Sequence, residues 1–154
     1  MKTGIVIGGI VIALLIGGVW WTNALQDSDP SVISRNGLHW HPTLTIYVKG
    51  EKQEIPQGIG LGAVHLPMHT HDDLPIIHLE FSGVVKEEDL MLGHLFTNWG
   101  NDMRSFGSNV LPSDERGSTE ASRPNVHMTV NGVENIEYER YIMRDKDVIE
   151  LHYD

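Results

Sequence analysis

Between Gly4 and Trp21 the chain runs for eighteen residues without one charged side chain. That stretch constrains everything after it, because it is about the shortest apolar run that crosses the ~30 Å hydrocarbon core of a bilayer as a helix. Trp20 and Trp21 stand where an interfacial aromatic belt belongs, Lys2 precedes the run, and Asp27 and Asp29 follow it, a pattern that favours a cytoplasmic N-terminus and an exported C-terminal part. A cleaved signal peptide is the alternative, with Thr22-Asn23-Ala24 as a small-residue site, but its apolar region usually spans only about 7 to 15 residues. The expectation is a transmembrane signal anchor over 1–24, single-pass in the cell membrane, with residues 4–21 in contact with lipid.

Residues 25–37 contain Ser28, Pro30, Ser31, Ser34, Asn36 and Gly37, the composition of a polar tether. What remains, 38–154, has the length of one extracytoplasmic domain. The formal charge is −10, with eleven scattered Lys and Arg, which excludes nucleic acid as a natural partner and suits a cation. The chain has no cysteine, so disulfides, thiolate zinc ribbons, iron–sulfur clusters and copper–thiolate centres are excluded.

Within the domain, apolar residues alternate at strand spacing. Trp40, Leu44, Ile46 and Val48 fall on one face of an expected strand, with His39, His41, Thr43, Thr45 and Tyr47 on the other. Lys49-Gly50 marks a tight turn into a second strand over Lys52–Ile55. A glycine-rich passage, Gly58 to Gly62, leads to Pro67 and a loop entering a strand. Ile76–Phe81 alternates again, with Ile77, Leu79 and Phe81 opposite Ile76, His78 and Glu80. Val85–Trp99 reads as the one helix beyond the anchor, its apolar stripe formed by Leu92, Leu95, Phe96 and Trp99 and its stop by Gly100. Asn101–Asn125 has no periodicity and reads as a long loop, mobile or functional. Val126, Met128 and Val130 precede a second turn, Asn131-Gly132, and Asp147–Tyr153 closes the chain as a strand.

The chemistry resides in three short runs: His39-Trp40-His41, His69-Thr70-His71-Asp72 and His78-Leu79-Glu80. Alternate residues of a strand share a face about 6.6 Å apart, so each run directs two ligand-type groups one way. One such pair is more often solvated surface than a ligand set, but three pairs on faces turned from the core point to a site. The expected ligands are His39, His41, His69, His71 and His78, with Asp72 or Glu80 as an additional ligand or as the acceptor that fixes a ring tautomer. Neutral imidazoles suit zinc or copper best among available ions. Five rings exceed a tetrahedral shell, so one ring outside the shell, a five-coordinate ion and two ions all stay open. His94 lies off the helical stripe, and His65, His127 and His152 lack partners in sequence; cross-strand packing suffices for the last two.

Opening hairpin, crossing helix, second hairpin and a last strand after Arg144-Asp145-Lys146-Asp147 resemble a β-grasp domain carrying a histidine-rich insertion. The resemblance implies an α+β fold in which one helix crosses a mixed sheet. The runs His-x-His, His69-Thr70-His71-Asp72, Ile76-Ile77-His78-x-Glu80 and Leu92-Gly93-x-x-Phe96-x-x-Trp99-Gly100 also look like a group of membrane-anchored prokaryotic exported domains, over Asn36–Gly100 and less specifically over Val126–Asp154. That group often has a Ser-Gly spacer where this chain has Asp73-Leu74-Pro75. The resemblance implies tethering outside the cytoplasm and no particular activity.

No nucleophile motif, phosphate loop or cofactor fingerprint accompanies the histidines. The leading expectation is a tethered zinc or copper binder for acquisition, buffering or sensing. A metalloenzyme with a metal-activated water and Glu80 or Asp72 as base is the second, and a metal-free β-grasp interaction module the third. A cupin-like oxygenase fits poorly, because Pro75 and Ile76 stand where its glutamate belongs.

Overall fold

A computed structural model describes residues 2–26, 29–104, 106 and 126–154. The chain divides into two compact units, Met1–Val32 and Ile33–Asp154. The first contains a single helix, α1 (Lys2–Gln26), whose side chains from Ile7 to Ala24 are all exposed. At 1.5 Å per residue its 25 residues extend ~37 Å, and it is long and apolar enough to cross a membrane.

The second unit is α+β. Its strands among the described residues are β1 (Val32–Ser34), β2 (Leu38–Trp40), β3 (Thr43–Val48), β4 (Glu51–Gln53), β5 (Met68–His69), β6 (His78–Phe81), β7 (Val85–Lys86), β8 (Val126–Val130), β9 (Val133–Glu134) and β10 (Val148–Tyr153), and helix α2 spans Leu92–Trp99. They form a five-stranded sheet in the order β4-β3-β10-β8-β9, a three-stranded sheet β2-β6-β5 and a β1-β7 pair. In the large sheet the central neighbours β3 and β10 run parallel and every other pairing is antiparallel.

Alternation decides which face of the large sheet is closed. Leu44, Ile46 and Val48 of β3, Ile149, Leu151 and Tyr153 of β10, and Val126, Met128 and Val130 of β8 are buried, while the residues between them reach or approach solvent. Each fully buried aliphatic side chain of this kind contributes ~1.5–3 kcal/mol. The two hairpin turns have left-handed backbones at both central residues, Lys49 (φ 49°) with Gly50 (φ 80°) and Asn131 (φ 53°) with Gly132 (φ 77°), the geometry that matches strand twist in two-residue loops. Leu92, Leu95 and Phe96 turn the apolar side of α2 into the same core. At Gly93 a Cβ would stand 2.9 Å from the Glu139 carbonyl oxygen, so only glycine lets α2 approach the Tyr138–Arg140 turn this closely.

The structure departs from the sequence reading in several places. The expected strand through His39–Val48 breaks at His41-Pro42 into β2 and β3, which belong to different sheets; proline has no N–H for a ladder. The helix expected from Val85 begins at Leu92. Before it, Asp89 accepts the Lys86 N–H at 2.8 Å and holds Glu87–Leu90 in a tighter turn. Within 25–37, read as tether, β1 forms and Ile33 packs against the core, because Val32-Ile33 is apolar enough to pair. Of the aperiodic stretch 101–125, residue 105 and residues 107–125 lie outside the described residues, but Met103 and Phe106 are core residues. The Tyr153 hydroxyl donates to the Met103 carbonyl at 2.6 Å, and the Phe106 ring meets Phe96, Trp99 and Tyr153.

Candidate metal centre

The register of the small sheet assembles the site. Met68 and Trp40 flank Leu79, and these three face or adjoin the core; His69 stands opposite His78, and His39 opposite Glu80. Directly opposed residues of an antiparallel pair have Cβ atoms about 4.5–5.5 Å apart. The next step along that register brings His41, just beyond β2, to the other side of His78, where their rings meet edge to face at 4.9 Å. His71, two residues after His69, falls on the same side and lies 4.8 Å from both the His69 and the His78 rings. The His69 and His78 rings stack at 5.5 Å, and His39 lies 4.6 Å from His41. All five histidines expected from sequence are therefore brought together, with His78 in the middle.

Two sets of three have metal-ligand proximity: His39, His41 and His78, and His69, His71 and His78, with one nitrogen from each ring within 4.8 Å of the others in its set. Zinc–nitrogen bonds of ~2.0–2.1 Å in a tetrahedron place nitrogens ~3.4 Å apart, so either set would have to draw in by up to ~1.4 Å to close on an ion.

Ring tautomers follow from the surroundings. His69 Nδ1 lies 2.9 Å from the Leu66 carbonyl; a carbonyl only accepts, so Nδ1 carries the proton and Nε2 of the neutral ring keeps a lone pair. Burial lowers the His69 pKa below 6.5, against the opposing pull of that carbonyl, which keeps the ring neutral and ligand-competent. His78 Nε2 lies 3.1 Å from both oxygens of Asp73, whose own pKa is lowered chiefly by this hydrogen bond. The Asp73 carboxylate thus holds the Nε2 proton and leaves the lone pair on Nδ1, the carboxylate–histidine arrangement that orients metal ligands. That Nδ1 is buried without a hydrogen-bond partner among the described residues. Its nearest charged neighbour is Glu80 Oε1 at 3.7 Å, and the same oxygen meets His39 Nε2 at 3.0 Å.

A loop locks the second run in place. Thr70, between the two histidines, is wholly buried. Its hydroxyl donates to the Pro56 carbonyl at 2.9 Å and accepts the Ile59 N–H at 3.1 Å, while its backbone exchanges bonds with Gly58 and Ile59. Gly60 (φ 74°) comes so near β5 that a Cβ would lie 2.6 Å from the Met68 carbonyl oxygen. On the other flank the Asp145 carboxylate accepts the His41 N–H at 3.0 Å, and the Ile77 and Leu44 N–H groups donate to the Pro42 and Pro75 carbonyls. The site loop is fastened to the start of β3, the part of that strand that β4 does not reach.

Two expectations change. The histidines were expected on faces turned from the core, yet His69 is 3% and His78 8% exposed, because the loop over residues 56–66 and the other rings close that face. Asp72 is exposed, and of the two adjacent aspartates it is Asp73 that meets a ring. Sequence gave His65 no partner, but it stacks on His69 at 5.5 Å. Only the course of the glycine-rich loop brings it there. His94 is exposed and bonds the Glu88 carbonyl. His127 and His152 pair across β8 and β10, with His152 stacked on Tyr47, as cross-strand packing requires.

No protein-family model matches the chain, and neither a curated protein nor a solved structure matches it.

Proposed function

We propose that this chain is a membrane-tethered extracytoplasmic domain that binds zinc or copper through His39, His41, His69, His71 and His78, in acquisition, buffering or sensing of the ion. The observation that carries the proposal is His78 Nδ1. An unpaired buried polar atom costs ~1–3 kcal/mol, and here it bears a lone pair amid four other imidazoles; an ion at that nitrogen would satisfy it. The described polar residues around the site supply no competing hydrogen bond to it.

The apolar helix and the charge asymmetry about it support a single-pass anchor with the N-terminus in the cytoplasm. The order β4-β3-β10-β8-β9 with its parallel central pair, together with α2, supports the β-grasp reading, and the motif likeness to membrane-anchored exported domains belongs to the same proposal. Metal analysis of the full chain in detergent, after separate exposure to zinc and copper and removal of free ion, tests it. The proposal expects at least one ion per chain for one of the two metals; sub-stoichiometric retention of both would end it.

A second reading, a metal-dependent hydrolase, is favoured by one observation: Glu80 stands half-exposed between His39 and His78, where a carboxylate could take a proton from a metal-bound water. An exchangeable water on the cobalt-substituted protein would support it, and a closed shell would exclude it.

A further inference from the structure

The two sets of ligands overlap in one residue and differ in depth. His39, His41 and His78 form a shallow set, with the His39 side chain 60% exposed; His69, His71 and His78 form a deep one, in which only His71 retains appreciable exposure. Both need His78, whose Nε2 is committed to Asp73 and which has Nδ1 alone to give. One nitrogen lone pair serves one ion. Two ions therefore cannot occupy both sets at once, although the rings are numerous enough for two.

Resting on the metal-binding reading above, we infer that the two sets are successive stations for a single ion: His39 and His41 capture a divalent cation from solvent together with His78, and the ion then moves to His69 and His71 while His78 stays bound. The transfer is ligand exchange only. Imidazole nitrogens displace waters on capture, His69 and His71 displace His39 and His41 at the second step, and no electron moves. Three features suit the direction. The shallow set lies beside Glu80, which attracts a cation and already holds His39. In the deep set the Leu66 carbonyl fixes the tautomer of His69 and leaves its Nε2 a lone pair. The deep set is also rigid, because Thr70 is bonded on both sides into the loop over 56–66.

Cobalt(II), whose visible spectrum reports its ligands, is the probe for binding kinetics, and zinc for stoichiometry, both with the full chain in detergent. The wild type should bind one zinc per chain, and cobalt should bind in two phases, the second independent of cobalt concentration. The double variant His39→Ala/His41→Ala should capture cobalt about tenfold more slowly and release it correspondingly more slowly, because the same two rings lie on the way in and on the way out. The double variant His69→Ala/His71→Ala should lose at least ~100-fold in affinity, beyond the ~10–100-fold typical for loss of an outer-shell partner, and should release its ion quickly. Two zinc ions per wild-type chain, a single binding phase linear in cobalt, or equal losses in the two double variants would each overturn the inference while leaving metal binding intact. Absence of any bound ion in the wild type would remove both readings. The wild-type stoichiometry and phases decide the matter even if a variant fails to fold.

Discussion

The two larger sheets follow the same alternation and bury different chemistry. In β3, β8 and β10 one face is closed by aliphatic and aromatic side chains and the other is left to Thr45, Thr129, Glu150 and His152. In β5 and β6 both faces close: Met68 and Leu79 meet the core, and opposite them His69 and His78 are buried as well. Buried polar atoms in the large sheet's surroundings are satisfied. Asp147, the one buried carboxylate among the described residues, accepts from the Tyr141 hydroxyl at 2.6 Å, the Arg144 N–H at 2.7 Å and Asn131 Nδ2 at 3.0 Å. In the small sheet, His78 Nδ1 has no hydrogen-bond partner among the described residues. One sheet is organised for stability, and the other gives some stability up to hold a lone pair in place.

The sharpest way to break this contrast is to damage each sheet and compare. Leu151→Ala, at a fully buried position of β10, should cost ~2–5 kcal/mol by denaturant unfolding, with the metal stoichiometry of the remaining folded protein unchanged. In the small sheet the largest effect should come from the ion. Zinc at 100 times its Kd should stabilise the wild type by ~2.7 kcal/mol, and His78→Leu should abolish that gain. The same substitution should change metal-free stability by less than ~1 kcal/mol, because it removes an unsatisfied buried atom along with its partner bond. A large loss in the metal-free state would show that His78 serves the fold after all.

Thr70→Val should cost ~1–3 kcal/mol, chiefly because it strips the partner from the buried Ile59 N–H while keeping the shape of the side chain. It should weaken metal binding too, which Leu151→Ala should not.

On the large-sheet side, burial first and then the nearby Asp102 charge raise the pKa of Tyr153. The folded state therefore keeps a proton that the unfolded chain releases above pH 10, and stability must fall as pH rises beyond that value, by ~1.4 kcal/mol per pH unit for this one group. Tyr153→Phe should flatten that alkaline slope in pH-dependent melts. The smallest effect belongs to Arg104→Gln: its bidentate pair with Glu139 (2.8 and 3.4 Å) joins two side chains that are both above 40% exposed, and the loss in melting experiments should stay under ~1 kcal/mol.

How far sequence reached follows the same division. Where one face is apolar and the turn is Lys49-Gly50 or Asn131-Gly132, the pattern shows strand, face and hairpin directly. The start of α2 was obscured because Val85 and Leu90 are buried like the helix stripe, although Asp89 holds that segment in a different turn. The five histidines could be named because strand spacing survives in each run. Their burial could not, since it depends on a glycine-rich loop whose only signature is composition. The choice between Asp72 and Asp73 depends on the path of the chain into Pro75, which two adjacent carboxylates do not reveal.

The central claim is that the unpartnered nitrogen of His78 is a metal ligand. Nitrogen-15 NMR of the histidine rings in the full chain, recorded in detergent before and after one equivalent of zinc, tests it directly. The account predicts that His78 Nδ1 shifts from the position of a bare, unprotonated nitrogen to that of a metal-bound one, while Nε2 stays protonated toward Asp73. A His78 Nδ1 signal unmoved by bound zinc would contradict it.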